Sequence, residues 1–110
     1  MANVSNLAID QGTTFSVTIT VTDDTGSARD LTNHTARSQM RRSYYTTANT
    51  AFTTNVSSTV AGTITLDLTN NQTSALKAGR YVYDVELVSN TSTVERIVEG
   101  IVTIYPEATR

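Results

Sequence analysis

The chain has no cysteine, no tryptophan, one proline and one histidine. Without cysteine, neither a disulfide framework nor a thiolate metal site can form. Charge is scarce too: only 16% of residues are charged and the net charge is -2. So few bases argue against a nucleic-acid duplex as partner. No apolar run approaches the roughly 20 residues that span a bilayer, so no membrane partner is expected. The start, Met1 to Leu7, has neither a positive stretch nor an apolar block. A signal peptide is therefore not expected, and folding in a reducing cytoplasm is. With one histidine, no nucleophile elbow and no glycine-rich phosphate loop, the chain is expected to be no enzyme and to hold no cofactor.

What the chain does have is Thr, Ser and Asn set among β-branched apolar residues, the composition of strands with hydroxyl-coated outer faces. Its 110 residues suffice for one domain, residues 1–110, with one modest core. The clearest pattern lies in the last third. From Gly79 to Val88, Tyr81, Tyr83, Val85 and Leu87 alternate with Arg80, Val82, Asp84 and Glu86, as in a sheet with one buried and one wet face. A polar turn, Ser89 to Ser92, leads into Val94–Ile104, giving a long hairpin that Pro106 ends.

Upstream, Leu7 and Ile9 open a short strand. Phe15, Val17, Ile19 and Val21 alternate with Ser and Thr, and Asp23 to Gly26 supplies a turn. Leu31 reads as an isolated apolar plug, and Thr35–Arg42 as a weaker strand with Arg37 and Arg41 outward and Arg42 inward, bonding a loop carbonyl. Ser43–Ala51 reads as a long loop, Phe52–Val56 as an edge strand and Thr63–Leu68 as another strand. Thr69 and Gln72 have capping-box spacing, which predicts one helical turn closed by Gly79. About seven short strands with a helical turn before the penultimate one predict an all-β, immunoglobulin-like antiparallel sandwich. Tyr81 stands where such sandwiches carry a tyrosine whose hydroxyl bonds back to the preceding corner, and Tyr83 where disulfide-bonded members carry cysteine.

Three groups of residues could carry function. His34 is read as a solvated loop histidine, and no metal site is expected. Arg37 and Arg41, with Tyr44 and Tyr45, form a basic and aromatic patch. It is either a solvated strand face or a site for a phosphate, a carboxylate, single-stranded nucleic acid or a protein. The third group is the outer face of the hairpin: Val82, Asp84, Glu86, Glu95, Ile97, Glu99 and Ile101. A turn at Asn90-Thr91 would set Glu86 opposite Glu95, a repulsion for solvent, an arginine, a cation or a basic partner to relieve. Alternation gives the last strand apolar residues on both faces, with Arg96 at inward parity unless a bulge near Arg96 or Gly100 intervenes. A strand of that kind is covered by its own chain or by another, and a partner is expected.

The ordered segments Asp10-Gln-Gly-Thr-Thr-Phe15, Asp30-Leu-Thr-Asn-His-Thr-Ala-Arg-Ser-Gln-Met-Arg41, Gly62-Thr-Ile-Thr-Leu66, Ala78-Gly-Arg-Tyr-Val-Tyr-Asp-Val85 and Val98-Glu-Gly-Ile-Val102 cover most of the chain. Together they resemble small immunoglobulin-like virion proteins of tailed bacteriophages, especially those of cyanobacteria, and the N-terminal domain of the phage baseplate upper protein. The resemblance implies a non-enzymatic structural protein of the virion, assembled in the host cytoplasm. Its partners would be other virion proteins, and copies would form a homo-oligomer or ring. In the baseplate protein a long fibre-like region follows the domain, whereas this chain stops at Arg110. The expectation is thus a free-standing adaptor of the tail, baseplate, neck or fibre, or a decoration protein on the head. A carbohydrate-binding module is the alternative of another class, with Tyr44, Tyr45 and Tyr105 as stacking platforms.

Overall fold

The computed structural model describes residues 3–23, 25–43 and 49–108. Among these described residues, nine strands and one short helix follow in the order β1 (Asn3–Val4), β2 (Leu7–Asp10), β3 (Phe15–Thr20), β4 (His34–Arg41), β5 (Thr50–Ala51), β6 (Thr53–Ser58), β7 (Thr63–Leu68), α1 (Asn70–Ser74), β8 (Gly79–Ser89) and β9 (Val94–Tyr105). They form two sheets. The larger runs β1-β9-β8-β4-β5, with β2 also on β9, and the smaller runs β3-β7-β6. This is an immunoglobulin-like β-sandwich, as the alternation predicts.

The long hairpin is the axis of the larger sheet. Tyr81, Tyr83, Val85 and Leu87 all point inward and are buried against Ile64, Leu66 and Leu68 of β7. Met40, from β4, fills the same core, and Leu31 is fully buried from its loop. Strand periodicity thus gives each sheet one apolar face, and their contact is the core.

Several local signals take their expected form. The Thr69 hydroxyl accepts from Gln72 N, and the Gln72 side chain accepts from Thr69 N at 2.8 Å, closing the capping box. The Tyr81 hydroxyl donates to Lys77 O at 2.8 Å, the corner expected of this fold. Gly26 has φ of 85°, and Asp23 Oδ1 accepts from Thr25 N and Ser27 N, so this acid is a turn residue. Asp24 lies outside the described residues.

Other features depart from the alternation. The helix ends at Ser74 with Ala75 as its cap, and Gly79 instead opens β8. The segment after Ser43 contributes a two-residue strand on β4, and Phe52 then carries the chain across to the other sheet. Phe52 N donates to Ser38 O and Thr54 Oγ1 to Ala36 O, each at 3.0 Å, so the crossing chain covers the edge of β4. The N-terminal strands lie parallel to β9, pairing Asn3 with Val98 and Leu7 with Val102. Between these two pairings the chain steps over Gly100. A Cβ there would sit 2.2 Å from Ser5 O, so glycine lets that carbonyl approach β9. The Tyr83 hydroxyl donates to the same carbonyl, linking β8 to the N-terminal strand from the position where related folds use cysteine.

Candidate functional site

The hairpin turn decides which residues share the outer face. Its loop is one residue longer than a turn centred on Asn90-Thr91 allows: Val88 pairs with Val94, and Ser89 N donates to Thr93 O. Glu86 therefore sits opposite Arg96, not opposite Glu95. A bulge follows, because Val85 pairs with Val98 and leaves Ile97 without a partner residue. The extra residue turns Arg96 outward and Ile97 inward, where only 7% of Ile97 remains exposed.

Two expected members of the partner face are corrected by this register. Ile97 belongs to the core. Glu95 pairs with Leu87 and reaches Arg29, which follows the small-sheet strand β3, in a two-pronged ion pair of 2.8 and 2.9 Å. That pairing holds the Glu95 carboxyl below its ordinary 4.5.

Val82, Asp84, Glu86, Glu99 and Ile101 do lie together on the outer face, in cross-strand rows. One row is Arg37, Glu86 and Arg96; the next is Gln39, Asp84 and Glu99; the third is Arg41, Val82 and Ile101. Arg37 Nε meets Glu86 Oε1 at 2.7 Å. Arg96 stands 3.4 Å from Asp84 Oδ2 and 3.6 Å from Glu99 Oε2. Arg41 Nη2 donates to Gln39 Oε1 at 3.1 Å. The acidic face is thus relieved by arginines of its own sheet. Burial pushes the Asp84 carboxyl above its ordinary 3.8, with Glu86 and Glu99 adding to the rise and Arg96 and Arg41 opposing it.

The expected basic patch does not stand apart, because Arg37 and Arg41 are part of this lattice. Tyr44 and Tyr45 lie outside the described residues. Arg42 turns away, donating to Ala78 O at 3.5 Å with its guanidinium 5.0 Å from the centre of the Tyr81 ring. His34 opens β4, its Nδ1 2.9 Å from Thr32 O, which fixes that nitrogen as the protonated one. Among the described residues no group of three or more His, Asp or Glu is placed to hold a metal ion.

Two of the depressions on this face border Val82. One, of about 410 Å³, is lined by Gln39, Arg41, Val82, Tyr83, Asp84 and Glu86. The other, of about 380 Å³, is lined by Val4, Asn6, Val82, Glu99, Gly100 and Ile101. Val82 is common to both, and Val4 and Ile101 are 73% and 40% exposed. Val4 and Asn6 escape sequence reasoning because nothing local announces a parallel pairing with β9. The inward turn of Ile97 had a signal, the clash of parities around Arg96.

No protein-family model matches the chain, and no curated protein matches it in sequence. Among solved structures it is similar to CopC from Methylosinus trichosporium OB3b, with a TM-score of 0.50 and 13% identity over 99% of this chain and 88% of that one. An internalin-like protein of Listeria monocytogenes gives a TM-score of 0.48 at 16% identity, with 94% of this chain and 28% of that one covered. The first likeness shows the sandwich fold and nothing finer.

Proposed function

We propose that this protein is a non-enzymatic docking module of a tailed-phage virion, an adaptor of the tail, baseplate, neck or fibre that binds another virion protein through the outer face of its larger sheet. The observation that carries the docking reading is the apolar strip of Val4, Val82 and Ile101 beside ion pairs that are already closed. Such a face offers apolar area without leaving lone charges to be desolvated by a partner. The virion setting rests on the resemblance of the ordered segments given above.

The test is incorporation into particles. Ile101→Lys is expected to leave the fold intact and to abolish incorporation, since it places a charge in the centre of the strip. Normal incorporation of that variant would remove the docking argument. A carbohydrate-binding role is less favoured: Tyr105 is the one exposed large aromatic among the described residues, and a stacking platform generally needs more.

A further inference from the structure

The sheet edges of this sandwich are unequally guarded. The larger sheet ends on one side in the short strands β1 and β2. On its other side the carbonyls of Ala36 and Ser38 are occupied by the crossing chain at Thr54 and Phe52. In the smaller sheet β7 is central, so β3 and β6 are both edges. β6 has a register shift between Val56 and Ser58, the kind of irregularity that blunts an edge. β3 has no such device. Its six residues, Phe-Ser-Val-Thr-Ile-Thr, carry no charge and no proline, and its register with β7 is unbroken.

The hydrogen-bond phase says which groups face outward. Val21 N donates to Gly62 O at 2.7 Å, so in steps of two Ile19, Val17 and Phe15 bond towards β7. The backbone N–H and C=O groups of Ser16, Thr18 and Thr20 then point away from the sheet, and among the described residues no strand pairs with them. The side chains of Phe15, Val17 and Ile19 are only half-buried at this margin of the core.

We propose that β3 is a self-association edge, where a second copy of the chain adds its own β3 antiparallel about a two-fold axis through Thr18. In that register Ser16 of one copy faces Thr20 of the other, Thr18 faces Thr18, and each such pair exchanges backbone bonds in both directions. On the opposite face Val17 meets Ile19 of the second copy, and the half-buried apolar margin is completed. No charge is brought opposite another. A two-fold contact of this kind uses up the edge on both copies, so assembly stops at the pair. The proposal is independent of the virion reading and uses none of the residues of the outer-face strip.

Light scattering on the full chain over a concentration series tests it. The mass is expected to reach twice 11.9 kDa. Thr18→Pro removes the outward N–H, which an edge strand tolerates, and Thr18→Lys sets two like charges opposite each other in the pair. Each is expected to return the mass to 11.9 kDa with an unchanged circular dichroism spectrum, while Ile101→Lys leaves the dimer intact. If Thr18→Pro unfolds the chain, Thr18→Lys, at an exposed side chain, decides alone. A wild-type mass of one chain at every concentration would overturn the proposal. So would a dimer that survives Thr18→Lys or is dissolved by Ile101→Lys.

Discussion

The two sheets share one core but keep their outer faces wet by opposite means. The larger carries arginines and carboxylates in cross-strand rows, paired within the sheet. The smaller shows Ser16, Thr18 and Thr20 on β3, with Thr63, Thr65 and Asp67 on β7 and Thr53, Asn55 and Ser57 on β6, a surface of hydroxyls and amide with one charge. Ion pairs fix which neighbour a strand accepts, because a misplaced charge meets its own sign. Hydroxyls enforce no such choice. On the proposals above, the charged sheet takes a particular partner on its face, and the hydroxyl sheet a strand at its edge.

The sharpest way to break this comparison is to treat the two isoleucines of β9 alike. Ile97→Lys forces an ammonium into the core and is expected to destabilise by about 3 kcal/mol or more. Ile101→Lys, on the outer face, should change stability by less than about 0.5 kcal/mol. Urea unfolding of both variants measures the contrast, and equal losses would mean the bulge is misplaced. Next in size is Gly100→Ala. Its methyl would collide with the Ser5 carbonyl, and a loss of about 2 kcal/mol is expected, with the Tyr83 tie to that carbonyl broken. Thermal unfolding reads the loss.

The smallest effects are electrostatic, and they differ in sign. Glu95 is held below 4.5 by Arg29, so its contribution is present above that value and lost as pH falls through the lowered pKa. Half of its side chain is exposed, and solvent screening limits the loss in Glu95→Gln to under about 1 kcal/mol at neutral pH. Asp84 has a raised pKa, so the folded chain binds its proton more tightly than the unfolded one. Its effect on stability becomes more unfavourable as pH climbs from 3.8 through the folded value. Denaturant midpoints taken between about pH 3 and pH 7 should thus rise less steeply in Glu95→Gln and more steeply in Asp84→Asn than in the wild-type chain. A change of the same sign in both would contradict the assignment of causes.

How much of this is legible in the sequence depends on how local each signal is. Period-two alternation at Tyr81–Leu87 and Ile64–Leu68, the Thr69–Gln72 box and the Tyr81 corner are set by neighbours in the chain, and all appear as read. The candidate face is legible only in part. Val82, Asp84, Glu86, Glu99 and Ile101 follow from alternation, but Ile97 and Glu95 depend on a turn length and a bulge that side-chain parity cannot fix. The Arg29–Glu95 pair joins residues 66 apart, and the parallel seat of Val4 beside β9 leaves no pattern in a two-residue strand. The switch of sheets at Phe52 is hidden for the same reason, since an apolar residue between polar neighbours looks alike on either sheet.

The most direct test of the docking account is incorporation of wild-type chain and Ile101→Lys into tailed-phage particles, scored by mass spectrometry of purified virions beside the unfolding midpoint of each free protein. The account predicts wild-type chain in the particle, Ile101→Lys absent from it, and equal midpoints. Particles that incorporate Ile101→Lys as fully as the wild-type chain would contradict it.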